Sequence, residues 1–370
     1  MKQKVKLKEV ALYSKGQQIN GDELLEEGSY AYLNGGINPS GKWHSYNVEG
    51  KTVTVSEGGN SSGYVNYMEQ PFWCGAHCYY LFDVIGEMKY IYYALKSQQD
   101  RIMKIRSGAC MPNIKKDDLG NFEFLFDNDL GVQNQIIRVL DKISYIISRH
   151  QQQLFNLDTL ITSRFVEMFG DPVENPKGWK KKQLQEIVSA DCTISYGIVQ
   201  TGEDKEVGIP VFRPVDIVNR VPKLEELKKT TVEISNKYKK TLLKGREMLI
   251  TVRANIADTF IVGKEFEGCN VGRGIVPIRV QEDVIILEFL KYQLDNKHLN
   301  DTIKRLAKGI TLLQLNMEDL RMVELIIPPI EKQKAFVMFA KQVEKLEAVA
   351  QKRLEETQFL FDSLMQQYFG

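Results

Sequence analysis

Cys74, His77 and Cys78 stand together in the pentapeptide CGAHC, the densest group of metal-ligating side chains in the chain. A structural zinc needs four such ligands, normally as two closely spaced pairs. No second pair follows, and Cys74 instead matches Cys269 at an offset of 195, which predicts a shared core position. Tyr79, Tyr80, Tyr90, Tyr92 and Tyr93 carry the flat faces that stack on bases, but their clustering fits a packed core. Glu331, Lys332 and Gln333 read as the first turn of a helix, not as an acid–base pair. The chain holds no phosphate-cradling Walker loop and no nuclease-type cluster of carboxylates and lysine.

The elements that must position these side chains are announced by a repeat. Gln133, Phe169 and Gly170 match Gln333, Phe369 and Gly370 at a constant offset of 200. In the first copy the apolar seam runs through Ile136, Leu140, Ile143, Ile147, Leu154, Leu157, Ile161 and Met168, interrupted at His150 and Arg164. In the second it runs through Phe336, Ala340, Val343, Leu346, Ala350, Leu354, Thr357, Phe361, Leu364 and Tyr368, with Glu347 displacing it to Leu346. Steps of four and three are the rhythm of a coiled coil. A helix of nearly forty residues is about 60 Å long. Such a rod cannot bury its seam on one small domain, and the other copy is its natural partner, paired antiparallel. Pro328 and Pro329 precede the second helix; Asp127, Asn128 and Asp129 are N-cap candidates for the first.

The regions before each helix repeat more loosely. Gly108–Phe126 parallels Gly309–Ile327 at an offset of 201, while Leu7, Glu9 and Val10 match Leu184, Glu186 and Ile187 at 177. The growing offset assigns extra residues to the second region, much of the excess expected at Lys223–Lys244. Strands are predicted at Lys51–Val55, Tyr79–Phe82, Phe122–Phe126, Gly208–Phe212, Glu247–Val252 and Gly274–Val280, and short helices at Tyr90–Leu95 and Leu287–Leu294. The expected fold is α/β (α+β). It has a globular domain at 1–127, a long helix at 128–170, a second domain at 171–328 and a second helix at 329–370.

Composition narrows the function. The 370 residues are 43% hydrophobic and 26% charged, with a formal net charge of +1. A protein so nearly neutral can hold a polyanion only by concentrating its cations on one face. No apolar run reaches the roughly 18 to 20 residues of a membrane span. Five cysteines with no secretion signal point to reduced thiols and a cytoplasmic protein.

The chain resembles the DNA-specificity (S) subunits of type I restriction-modification enzymes. The resemblance rests on NGGINPSGKWHSY (34–46), VSEGGNSSGYVNYMEQPFW (55–73), MFGDPVENPKGWKKKQLQEI (168–187), PVFRPVDI (210–217), EMLITVRANIADTFIV (247–262) and the segment 326–333, in that order around the duplication. It implies a non-catalytic subunit with two tandem target-recognition domains, each reading one half of a split site in double-stranded DNA. The paired helices set the spacing. Two methyltransferase subunits would dock around the helices and two motor-nuclease subunits would join for restriction. S-adenosylmethionine, ATP and Mg2+ would be used by those partners and no cofactor by this chain. Accordingly, the Asn/Asp-Pro-Pro-aromatic tetrad of adenine methyltransferases is missing: Asn175-Pro176 is followed by Lys177.

Base edges are read by amide, hydroxyl and cationic side chains. In the first domain such residues gather at Asn34, Asn38, Ser40, Lys42, Trp43, His44 and Tyr46, and at Asn60, Ser61, Ser62 and Tyr64. In the second they are Arg213, Asp216, Arg220, Arg253, Asn255 and Arg273, with Lys308 and Thr311 in the counterpart of the Gly108 loop. Two other classes compete with this reading. One is a self-contained DNA enzyme, such as a fused methyltransferase; the missing tetrad speaks against it. The other is a coiled-coil scaffold with two protein-binding globular domains.

Overall fold

The computed structural model describes residues 2–108, 112–217, 222–309 and 313–370. The chain divides into two compact units, Met1–Gln153 with Ala350–Gly370, and Leu154–Val349. In the first unit Lys2–Lys6 pairs antiparallel with Glu123–Asp127. Thr52–Ser56, β-branched up to Val55 and buried along its whole length, is an inner strand of a four-stranded sheet ordered Leu12–Lys15, Cys78–Phe82, Thr52–Ser56, Val65–Met68. A second sheet sets Tyr30–Leu33 between Gly41–Trp43 and Phe72–Cys74, the last pair parallel. The helix Met88–Ser97 buries Tyr90, Tyr93 and Leu95 against this core, so the tyrosine cluster is packing.

The second unit repeats the plan with shorter strands. Lys181–Gln183 pairs with Glu324–Ile326. Met248–Thr251 lies between Thr259–Ile261 and Ile275–Ile278, and Ile209–Phe212 between Lys228–Thr230 and Asn270–Val271. Leu7–Val10 and Leu184–Ile187 are matching four-residue helices, each opened by a glutamate that accepts from the backbone N–H three residues earlier. Most of the extra residues of the second unit fall on both sides of one strand: 213–227 replaces 34–40, and 231–246 replaces 44–51.

The alignment of Cys74 with Cys269 fails by two residues. Cys74 pairs with Leu33 as Val271 pairs with Phe212, and their carbonyls accept from Gln17 N and Ile198 N, each at 2.8 Å. The offset has therefore grown to 197 at this point. Gly16 and Gly197 permit that approach, since a Cβ on either would sit 1.8 Å from the same two carbonyl oxygens.

The long helices span Leu130–Phe169 and Ile330–Phe369. Asp129 caps the first, its Oδ1 accepting from Gly131 N at 2.7 Å. The near half of each helix packs antiparallel against the far half of the other. In the second unit Phe165 and Phe169 lie 5.4 and 5.6 Å from the Phe336 ring. In the first unit Ile136 and Leu140 share a core with Met365 and Phe369. Positions 200 apart are buried alike along most of both helices.

Two details of the expected seam are corrected. Toward the end of the first helix the deep positions are Phe165 (3% exposed) and Phe169 (0%), while Arg164 and Met168 flank them. Steps of four carry the stripe slowly around a straight helix, and the globular core receives the phenyl rings. In the second helix Leu346 is 55% exposed and the half-buried residue is Glu347. Burial, with Asp158 and Glu344 nearby, pushes the Glu347 carboxyl above its ordinary value.

Gln133 and Gln333 explain why the repeat preserves a polar residue at a helix start. Both are 0% exposed. Gln133 Oε1 accepts from Glu87 N at 2.8 Å and its Nε2 donates to Asp127 O at 2.6 Å. Gln333 repeats this on Ile286 N at 3.0 Å and on Val284 O and Pro328 O at 3.1 and 2.8 Å. Replacing either by alanine orphans buried backbone groups and opens a cavity. Each change is expected to cost its own unit about 3 kcal/mol, read as a shifted urea midpoint.

Candidate nucleic-acid interface

In the second unit the strand Met248–Thr251 runs out into a strained turn. Ala254 and Ala257 take φ of 60° and 65°, values that side chains rarely adopt. The turn is tied by Ala257 N donating to Thr251 O and by the Thr251 hydroxyl donating to Asn255 O. It lifts Arg253 to where residues 308 and 314 come together: Arg253 bridges to Gln314, and Lys308 exchanges backbone hydrogen bonds with Gln314 at 2.9 Å each. The Arg253 guanidinium donates from Nη2 to Gln314 Oε1. Burial, and then the like charge of Arg273, push that guanidinium below its usual value, opposed by Tyr196. Arg253, Arg273 and Lys308 thus form a cationic cluster; Lys308 reaches an acidic partner, Asp319, at 3.7 Å.

The first unit builds the same crossing from other residues. Gly59 and Gly63 hold the positive-φ positions, at 75° and 89°, and Gly63 N donates to Ser56 O as Ala257 N does to Thr251 O. Gly58 bridges to Asn113, and Asn113 exchanges backbone hydrogen bonds with Ser107 at 2.8 and 2.9 Å. Gly58 therefore stands for Arg253, Ser107 for Lys308 and Asn113 for Gln314.

The remaining predicted residues divide into scaffold and surface. Asn34 is structural: its Oδ1 accepts from His77 N and its Nδ2 donates to Gln18, both at 3.1 Å. The Ser61 hydroxyl donates to Gly35 O at 2.7 Å, which brings the Asn34 and Asn60 loops together. Ser62 is 0% exposed and donates to Glu57 O at 2.7 Å, so its hydroxyl belongs to the scaffold. Asp216, also 0% exposed, accepts from the Arg213 backbone N at 2.7 Å and clamps its guanidinium at 2.9 and 3.0 Å. Asn38, Ser40, Asn60, Asn255 and Arg273 are exposed. Lys42, Trp43, His44 and Tyr46 lie at the other end of their hairpin, with Trp43 edge-on to Trp73 at 6.2 Å and Tyr46 on Tyr30 at 5.0 Å. Tyr64 lies under the Lys96 ammonium at 3.8 Å. Arg220 and Thr311 fall outside the described residues. In CGAHC, Cys74 and Cys78 are buried together, whereas His77 turns outward to Glu57 at 3.4 Å. Among the described residues no group of three His, Cys, Asp or Glu side chains is placed to hold a metal.

Asn113 and Gln314 were absent from the predicted set. Their alignment at an offset of 201 was visible, but nothing local to either marks it as meeting residue 58 or 253.

Residues 2–156 and 176–357 match the type I restriction modification DNA specificity domain. The chain belongs to this family. This specificity-domain protein is 35% identical over 150 residues to a putative type I specificity subunit of Mycoplasma genitalium, covering 40% of this chain and 37% of that one. It is 26% identical over 220 residues to the EcoBI specificity subunit of Escherichia coli, covering 57% of this chain and 46% of the relative. The alignments thus reach less than half the length of either relative. The fold is that of an M. genitalium type I S subunit known from a crystal structure, with a TM-score of 0.66, 19% identity, and coverage of 100% of this chain and 96% of that one. A type I restriction-modification structure aligns with a TM-score of 0.57 at 15% identity, over 99% and 96% of the two chains.

Proposed function

We propose that this protein is the non-catalytic, sequence-specific DNA-binding subunit of a type I restriction-modification complex. The observation that carries the reading is the repeated crossing at 58/107/113 and 253/308/314: one backbone arrangement, two side-chain sets. Two similar but unequal readers call for a split, asymmetric site in double-stranded DNA. In this reading residues 1–127 and 171–328 are the target-recognition domains, and 128–170 and 329–370 are the spacer helices. Two methyltransferase subunits dock on the helices and two motor-nuclease subunits complete the complex in the cytoplasm. Those partners bring S-adenosylmethionine, ATP and Mg2+. Tyr145, Phe155 and Phe359, which are 63%, 65% and 76% exposed on the long helices, offer partner subunits apolar ground. No helix among the described residues is long and apolar enough to cross a membrane.

Footprinting of the chain purified with its methyltransferase tests the proposal. A bipartite site with two different halves is expected, bound more weakly as salt rises. Inserting one heptad into each long helix lengthens the pair by about 10.5 Å, so the preferred spacer should grow by about three base pairs. A complex that prefers no bipartite sequence would overturn the reading, and a spacer indifferent to the insertion would remove the helices' measuring role.

A further inference from the structure

We infer that Asn113 and the Arg253–Gln314 pair are the corresponding base-reading groups of the two units, the first suited to adenine and the second to guanine. This rests on the DNA-reading role proposed above and assigns its chemistry. Both groups stand at the same point of the fold, where the positive-φ turn meets the paired residues 107/113 or 308/314. What they present differs.

A guanidinium has donors only, so the amide atom it faces in Gln314 must be the oxygen, as observed. That contact occupies the amide oxygen with a cationic donor. The pair is left presenting N–H groups: the other guanidinium donors and the Gln314 amide NH2. Guanine alone offers two neighbouring acceptors, N7 and O6, in the major groove. The adenine N6 amine, brought to the same oxygen, would meet the guanidinium as donor against donor. Arg273 and Lys308 add positive charge beside the pair, and their place is on the phosphates that flank the base.

In the first unit Gly58 takes the place of Arg253, so no guanidinium among the described residues engages the amide. Asn113 is exposed, and among the described residues its oxygen receives only the distant Ser107 hydroxyl at 3.4 Å. It keeps an acceptor and two donors side by side, the complement of adenine N6 and N7. Exchange of one residue opposite an amide changes the base it selects while the backbone stays the same.

The test selects binding sites from a random-sequence DNA pool, using the chain in complex with its methyltransferase. Wild type is compared with Gln314→Ala, Arg253→Lys and Asn113→Ala. Arg253→Lys keeps the charge and loses the fork, so it separates reading from folding. The two second-unit changes are expected to relax one guanine in one half-site, lowering preference there roughly five- to hundredfold. Asn113→Ala is expected to relax one adenine in the other half-site by a similar factor, with spacer preference unchanged in all three. If wild type selects no bipartite site, the proposed function itself fails. If wild type selects one and the variants keep its consensus, weaken all sequences equally, or relax a different base, this inference fails and the DNA-reading role stands.

Discussion

A chain ending at Val349 is expected to unfold its first unit, although the deletion lies more than two hundred residues beyond the sheets of that unit. Ala350–Gly370 belongs to the first unit, not to the second that precedes it in sequence. Met365 and Phe369, 6% and 2% exposed, complete the first core, with Phe361, Leu364 and Tyr368 against it. Phe369 lies 5.3 Å from the Tyr90 ring and its carbonyl accepts from Gln98 Nε2 at 3.0 Å. Phe361 reaches Tyr93 at 6.3 Å. Loss of a single buried phenyl costs about 3 to 5 kcal/mol. Loss of the whole face exceeds much of the roughly 5 to 15 kcal/mol that stabilises a domain. Hydrogen exchange should show Thr52–Ser56 and Cys78–Phe82 unprotected and Met248–Thr251 still protected. The crossed point changes follow the same logic: Phe369→Ala weakens the first unit and Phe169→Ala the second, each by about 4 kcal/mol. Loss of protection in the second unit on truncation would refute the crossed arrangement.

Glu247→Ala is expected to cost the second unit about 3 kcal/mol, because it removes the closest partner of a largely buried charge and three backbone acceptor contacts. Glu247 is 0% exposed and Arg279 only 13% exposed at its side chain; their closest contact is 2.9 Å. The carboxylate also accepts from the backbone N–H groups of Lys244, Gly245 and Arg246 at 2.7, 3.0 and 3.1 Å. Removing it orphans three backbone donors at the start of the central strand and leaves the guanidinium with only Asp191 among the described residues, its carboxylate at 3.5 Å and its carbonyl at 2.8 Å. Glu247→Gln keeps an acceptor and should lose less. Urea unfolding measures both, and a cost below about 1 kcal/mol for the alanine variant would mean that water replaces the pair. The matching position of the first unit is Thr52, whose hydroxyl donates to Glu49 O at 2.9 Å. The ion pair is therefore a local solution of the second unit and not part of the repeated plan.

Much of the architecture was readable from the chain. Both long helices, the central strands Thr52–Ser56, Met248–Thr251 and Ile275–Ile278, and the helix Leu287–Leu294 lie where their patterns place them. Hydrogen bonds in a helix and alternation in a strand are local, so their signals survive in sequence. The gapless offset of 200 in the helices is matched by their burial: Gln133 is buried as Gln333 is, and Leu140 as Ala340 is.

The candidate site was readable only in part. Arg253, Arg273 and Lys308 were recognisable as cations in turns, but Ser62 and Asp216 have the same polar character and are spent inside the scaffold. The sequence by itself determined the elements, their order and which face of each is apolar. Only the tertiary structure decided what covers each face: that Phe169 closes the second core and Phe369 the first, that Phe165 and not Arg164 points inward, and that Gly58 meets Asn113 while Arg253 meets Gln314. Apolar periodicity records that a side chain must leave water without naming the side chain it will meet, and a contact across sixty residues is set by strand register and turn geometry that no local pattern carries.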